Sequence, residues 1–505
     1  MSSFLEDAAH YPGGHTSGVL RPRSVEEVSA ALRGPGRFLA VGAQSSLTGG
    51  ATPFGDVVIS TDRLTQMSVS TDDVTVGAGV TLQALQDELA KQGRWFPPVP
   101  TYLGAFAGGA VATCAAGAAT FKYGTVREWV QALTIVLAGG DVLSLTRGRR
   151  FAVNGAFDID TSTGIRTVQI PDLKMPNVPK HSAGYFLSPQ MDLIDLFIGS
   201  EGTLGVIVEA TFKTAAKPAA TCRAFVPVPT EAAAIALTGE LRSASQETWR
   251  SRDPHGIDIA AIEHIDSRSI EVVREDGVDR KLHVALPSGA SVVLLIDLEL
   301  PSDDGTLHAQ LESIREASAA DAQLLRFCRL LDRYGVLDDT EIALPADRAR
   351  AAAFAELREA VPAGVNRRVA LAKQRDPEIS KTAADMIVPF ERFADMMREC
   401  RRLFAERDLD LAVWGHISDG NVHPNLIPQR PGDVEKAREA ILQLGTAVIA
   451  MGGCPLAEHG VGRNPTKQHL LRQLYGDAGI DAMRAIKLSL DPHGSLASGV
   501  IFPAQ

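Results

Sequence analysis

The stretch from Phe38 to Thr61, FLAVGAQSSLTGGATPFGDVVIST, decides how the first part of this chain folds. It reads as strand, glycine-rich loop and strand, with β-branched and apolar runs on either side of a series of small residues. Gly42, Gly49 and Gly50 allow successive backbone amides to turn inward, forming the nest that cradles an anion such as a pyrophosphate. No helix pattern follows the loop, and neither GxGxxG nor GxxxxGK[ST] is present, so the Rossmann and P-loop readings fail on context. Taken alone, such a loop is more often an ordinary turn.

Outward from it, residues 20 to 215 alternate short β-rich runs with glycine: RFLAVGA, DVVIST, VTVGAGV, ALTIVLAGGDVLSL and LGVIVEATFK. This spacing predicts a strand-dense α+β domain. Two amphipathic helices are expected inside it, SVEEVSAALRG with Ser24 as N-cap, and TLQALQDELAKQG opened by Thr81 and closed by Gly93. Residues 148 to 190, including PDLKMPNVPKHSAGY, read as an ordered excursion across a site. Past KTAAKPAAT the pattern shifts to longer helices mixed with strands such as SVVLLIDLEL. The expected division is 1–215, 216–430 and a helical segment 431–505 ending in DPHGSLASGVIF.

The chain has 505 residues, enough for two or three domains. Lys plus Arg total 50 against 61 Asp plus Glu, and the resulting charge of -11 argues against a nucleic-acid partner. Cys114, Cys222, Cys328, Cys400 and Cys454 lie far apart and are odd in number, which suggests neither a disulfide framework nor a cysteine metal site. The start lacks the charged and apolar regions of a signal peptide, and no run reaches the roughly 18 apolar residues of a membrane span. A cytoplasmic protein is expected.

Four further pieces accompany the first loop: VTVGAGVTLQALQDEL, GAFAGGAVATCAAGAATFKYG, LTIVLAGGDVL and DLFIGSEGTLGVIVEATF. In order and spacing they resemble the FAD-linked oxidases of the vanillyl-alcohol-oxidase type, with a PCMH-type FAD-binding domain, over most of residues 20 to 215. The resemblance implies that Gly42, Ala43, Gln44, Ser45, Ser46, Thr48 and Gly49 hold the FAD pyrophosphate. It places Pro100, Gly108, Gly109, Thr113, Gly117, Tyr123 and Gly124 along the adenosine and flavin, and Glu201, Gly202, Gly205 and Val206 at a further contact. Gly108, Gly109 and Gly117 among alanines let backbone approach a flat ligand, although small-residue packing between helix and sheet explains the same pattern. Family members that attach flavin covalently do so through a histidine in the first loop. Here Gln44, Ser45 and Ser46 occupy that stretch, so FAD is expected to be non-covalent.

The second chemical signal is LAVWGHISDGNVHPNLIP, residues 411 to 428, where Asp419-Gly420 between apolar runs predicts a hairpin with a two-residue turn. Counting outward from that turn sets His416 opposite His423 on one face, with Cβ atoms roughly 4.5 to 5.5 Å apart. Two ring nitrogens could then converge on one metal, while two cross-strand histidines without a metal remain the blander alternative. Glu458 and His459 follow in CPLAEHGVGRNPTK. Both stretches resemble the GHxxDGNxHxN and EHG(I/V)G segments of FAD-linked D-2-hydroxyacid dehydrogenases, among them D-lactate dehydrogenases, glycolate oxidase catalytic subunits and D-2-hydroxyglutarate dehydrogenases.

That resemblance implies a divalent metal on His416, His423 and Glu458, with Asn425 nearby and His459 as the catalytic base. Zinc is the simplest ion, manganese and iron being compatible. The implied reaction moves a hydride from C2 of a small 2-hydroxy acid to the flavin. For the substrate carboxylate, NRRVALAKQRDPEISKTAADMIVP offers Arg368 as catalytic-site cation, Arg367 in reserve, and Lys381 or Lys373 in support, against the alternative of a solvated basic helix face. This stretch departs from the D-2-hydroxyglutarate pattern, whose Thr and Lys have no clear counterpart, and DPHGSLASGVIF departs from DPxxxLNPGK(I/V). Alternatives are a flavin enzyme of another alcohol, an alkylglycerone-phosphate-synthase-like transferase, a non-enzymatic flavin binder, or a flavin-free zinc hydrolase, which leaves the motifs of residues 40 to 205 unexplained. No NAD, cytochrome or iron-sulfur motif marks the electron acceptor, which leaves oxygen, a quinone, a cytochrome or an electron-transfer flavoprotein.

Overall fold

A computed structural model describes residues 4–98, 100–301 and 323–504. The chain forms two compact units: unit 1 comprises 1–117, 124–217 and 454–505, and unit 2 comprises 118–123 and 218–453. The fold is mixed α and β, as the sequence pattern requires. The division at 431 expected from composition falls inside unit 2, and residues 454–505 belong to unit 1. Composition could not show this, because both sides of the true boundary are helical.

Unit 1 holds a parallel three-stranded sheet, in the order Gly18–Leu20, Val57–Ser60, Phe38–Val41, so the glycine loop joins two adjacent strands running the same way. A five-stranded antiparallel sheet runs Met67–Val69, Asp73–Gly77, Val206–Lys213, Val130–Val136, Val142–Thr146. The helices expected from their caps are present. Val25–Leu32 starts where Ser24 accepts the Glu27 amide at 3.3 Å, and Leu82–Ala90 where Thr81 accepts the Ala84 amide at 3.1 Å. An eight-residue helix is too short to persist alone. Val28 and Leu32 bury it against Phe38, Ile59, Val136 and Val208, each such side chain contributing roughly 1.5–3 kcal/mol.

The excursion 148–190 carries the hairpin Ala156–Thr161 with Gly164–Gln169 and is otherwise irregular. The C-terminal turn is organised by Asp491, whose carboxylate accepts the amides of Ser495 and Leu496 at 2.9 and 2.8 Å. Ser495 and Ala497 then bond to both backbone groups of Phe38, at 2.7 and 2.8 Å, extending the parallel sheet.

Unit 2 is built on a seven-stranded sheet in the order Glu341–Ala343, Ala220–Val228, Val292–Leu300, Ile259–Asp266, Asp410–His416, Asn421–Ile427, Met386–Ile387. Val292–Leu300 is buried along nearly its whole length, which explains its continuous apolar run rather than an alternating one. Residues 118–123 join this unit through Lys122, whose ammonium lies 2.7 Å from Asp258 and 2.5 Å from Glu299, and through Tyr123. All five cysteines are buried thiols. Among the described residues no helix is long and apolar enough to cross a membrane.

Candidate active site

In unit 1 the glycine loop, the GSEG segment and the EHGVG segment meet. The carbonyls of Gln44 and Ser46 accept the amides of Ala8 and Ala9 at 3.0 and 3.1 Å, while the amides of Ala43, Gln44, Ser45 and Ser46 have no acceptor among the described residues. Four successive amides left without an acceptor fit a pyrophosphate. Thr48 is buried, and its carbonyl accepts the Arg463 amide at 3.0 Å. Gly462 crosses Thr48 so closely that a Cβ there would stand 2.2 Å from the Thr48 hydroxyl, and its backbone is left-handed (φ 58°). Only glycine fits that crossing.

Glu201 also has a left-handed backbone (φ 51°), and its carboxylate accepts the amides of Val461 at 2.8 Å and Gly462 at 2.9 Å. Burial nevertheless pushes its carboxyl up to about 7. The side chain expected at the cofactor therefore serves to fix the EHGVG loop. Two more residues of the excursion do the same. Ser182 accepts the Gly460 amide at 2.9 Å and donates its own to Leu456 at 3.0 Å, and Lys180 pairs with Glu458 at 2.8 Å. His459 Nε2 stands 3.6 Å from the other Glu458 oxygen.

The remaining cofactor candidates divide by environment. A Cβ on Gly109 or Gly202 would meet nothing within 4 Å, leaving backbone open to a flat ligand. A Cβ on Gly108 would come 2.5 Å from Ala78, and one on Gly205 2.5 Å from Ile135, so these two glycines serve packing, as does buried Val206 paired with Val136. Thr113 turns its hydroxyl back onto the Gly109 carbonyl at 3.0 Å. Gly124 packs against Glu128, Pro100 is half-buried and Gly117 buried. Tyr123 belongs to unit 2, where its hydroxyl donates to Glu299 at 2.7 Å.

Unit 2 carries the two histidines, with a register that differs from the expected one. Trp414, not His416, is opposite His423, and His416 is paired with Glu263 on the neighbouring strand. The cause is a 3-10 turn over Ile417–Asp419, closed by Gly420 at φ 81°, where a two-residue turn was expected. Ser418 pins that turn by accepting the Ile262 amide at 3.2 Å, and Arg242 donates to its carbonyl. Since side chains alternate along a strand, His416 still shares the face of Trp414 and His423, as a diagonal neighbour. The two ring centroids are 5.4 Å apart with planes at 85°. Gly415 between them allows the strand crossing, because a Cβ there would lie 2.6 Å from Asn421 O and Val422 Cα.

Behind each imidazole stands a carboxylate that the sequence reading did not identify. Glu263 Oε1 is 2.9 Å from His416 Nδ1, and Asp385 Oδ1 is 3.3 Å from His423 Nδ1. Asn421 donates to Asp385 at 3.1 Å, and Asn425 donates to the His423 carbonyl at 2.8 Å. A carboxylate on Nδ1 fixes the tautomer that offers a lone pair at Nε2, which is how metal-binding histidines are held. The donor set fits a borderline ion such as zinc. The only sequence signal for either carboxylate was a charge inside an apolar run. Glu458, the third expected ligand, belongs to unit 1.

Arg368 is committed elsewhere: its guanidinium pairs with Asp276 at 3.0 Å and Glu275 at 2.5 Å, and Arg367 also holds Asp276. Burial alone would raise the Asp276 carboxyl, but the two guanidiniums outweigh it and hold it below the usual range. Lys373 is exposed on the same helix. Lys381 instead bonds to Asn366 and lies 5.9 Å from the centre of the Trp414 ring, beside the histidine strands. Its side chain keeps solvent contact, yet the surrounding protein removes enough water to push its ammonium down to about 8.

Residues 16–146 match a family model described as FAD binding domain, and residues 218–501 match FAD linked oxidases, C-terminal domain. The chain is 27% identical over 494 residues to D-lactate dehydrogenase of Archaeoglobus fulgidus, covering 96% of this chain and 90% of that one. It is 27% identical to glycolate oxidase subunit GlcD of Bacillus subtilis, over 96% of this chain and 88% of the relative. With mitochondrial D-2-hydroxyglutarate dehydrogenase of Bos taurus it shares 28% identity, over 97% and 78% of the two chains. A solved structure of alkyldihydroxyacetonephosphate synthase superposes with a TM-score of 0.59 at 17% identity, over 95% of this chain and 75% of that one, a likeness of fold alone.

Proposed function

The chain belongs to the FAD linked oxidases, and we propose that it oxidises a D-2-hydroxy acid at C2 to the 2-oxo acid. At the coarser level it is an FAD-dependent enzyme of the branch that contains D-lactate, glycolate and D-2-hydroxyglutarate dehydrogenases. The observation that carries the finer reading is the His416–His423 pair with a carboxylate behind each ring. Bound FAD supplies the hydride acceptor, and a divalent ion supplies Lewis acidity toward the substrate hydroxyl.

His416, His423 and Glu458 hold the ion, most simply zinc. His459 takes the hydroxyl proton, a task that suits an imidazole near neutral pH. Lys381 meets the substrate carboxylate. This role passes from Arg368 to Lys381 because the arginine would have to give up two carboxylates to perform it. The donor row of Ala43 to Ser46 binds the pyrophosphate without a covalent bond. Five buried thiols suit a reducing compartment such as the cytoplasm.

The deciding experiment mixes the purified yellow protein, without oxygen, with D-lactate, glycolate and D-2-hydroxyglutarate, and with the L-acids. Bleaching of the flavin bands by one or more of the first group, and not by the L-acids, is expected. A flavin that no hydroxy acid bleaches would sink the proposal.

A further inference from the structure

Lys180 takes no part in the chemistry above, yet its side chain is fully buried and its ammonium lies 2.8 Å from Glu458 Oε2. Burying an ammonium costs several kcal/mol unless it is paired, and such a pair rarely repays that cost in stability. Its value lies in orientation. Two residues further on, Ser182 holds the backbone of the same loop at Gly460 and Leu456, so the segment templates the loop at three points. The other Glu458 oxygen faces His459 Nε2 at 3.6 Å.

We propose that Lys180 is a positioning residue for Glu458: it fixes the carboxylate's orientation and carries the compensating positive charge while no ion is bound. The proposal rests on the metal reading given above. A fixed ammonium beside a ligand carboxylate also opposes a divalent cation, so the pair keeps ion binding weaker than His416, His423 and Glu458 alone would make it.

The test uses the full-length, FAD-loaded protein, stripped with a chelator and titrated with zinc against a chromophoric competitor. Lys180→Met is expected to bind zinc about tenfold tighter or more, since a buried like charge is gone. Lys180→Arg, which keeps the charge, should bind zinc like the parent. With D-lactate, kcat of Lys180→Met should fall about tenfold while KM changes little, as for a misplaced catalytic group. Metal-free Lys180→Met should unfold at a lower temperature than the parent, and Lys180→Met with Glu458→Gln should recover most of that loss. Zinc affinity unchanged or weaker in Lys180→Met, or raised equally in Lys180→Arg, overturns the proposal. If zinc binds neither parent nor variants, the metal reading fails. Lys180 is then judged on the unfolding temperatures, and a double variant no better than the single one rejects its pairing role.

Discussion

Glu201 Oε2 accepts the amide of Gly462 at 2.9 Å, joining two glycine-rich motifs 261 residues apart in sequence. Oε1 does the same for Val461, so one side chain holds two successive amides of the loop after His459. The GSEG motif, expected to contact the cofactor, thus also supports the loop that carries the proposed base.

Replacing Glu201 by Gln keeps the shape but leaves one amide without its acceptor, a loss of about 1–3 kcal/mol. Its pH dependence is diagnostic. Burial raises the folded carboxyl from an ordinary 4.5 to about 7, so the folded chain binds the proton more tightly than the unfolded one. That contribution is full below about 4.5 and is lost as pH rises through about 7. The stability difference between parent and Glu201→Gln, from denaturant unfolding, should therefore shrink between these values. A difference that stays flat would count against a protonated Glu201.

His416→Ala and His423→Ala should lose the ion while FAD stays bound, because the donor row of Ala43 to Ser46 lies in the other unit. Glu263→Gln and Asp385→Asn should weaken metal binding by roughly 10- to 100-fold, the usual effect of removing an orienting carboxylate. His459→Ala should retain metal and lose turnover by about 100- to 10,000-fold. Metal analysis beside flavin-reduction rates separates the three groups, and full activity in chelator-treated protein would exclude the metal.

For the substrate carboxylate, Lys381→Met should raise KM strongly for a hydroxy acid and little for its ester. Because the Lys381 ammonium is pushed down to about 8, KM for the acid should also climb as pH passes that value, and KM for the ester should not. Arg368→Met should instead lower stability through its lost pairs with Asp276 and Glu275, leaving KM nearly unchanged. A selective loss of acid binding in Arg368→Met would return the role to the arginine.

Acid precipitation should release the flavin entirely into the supernatant, since Gln44, Ser45 and Ser46 offer no imidazole for attachment. Colour that stays with the denatured chain would contradict this.

Much of the fold was legible because local signals agreed: Ser24 and Thr81 cap the helices they were expected to cap, and the strand–loop–strand of residues 38 to 61 forms as read. The histidine face was legible too, but the register was not. Asp419-Gly420 announces a turn, whereas its length depends on Ser418 finding the Ile262 amide on another strand. Lys180, Glu263 and Asp385 escaped notice for a related reason. Each acts on a partner at least 38 residues away in the numbering, and nothing local to a charged residue says which distant group it will face. Arg368 illustrates the reverse, a basic helix face whose carboxylate partners lie on a different helix and its cap.

The bonds from Ser495 and Ala497 to Phe38 have a consequence for synthesis on the ribosome. The parallel sheet of unit 1 is formed by residues 18–60 and extended by residues 495–497, so its Phe38 edge waits uncovered until residue 497 has been made. Unit 2 is complete once residue 453 has been made. The first strands of unit 1 therefore need protection for as long as residues 495–497 are unmade, and loss of those three residues would bare the Phe38 edge of the sheet.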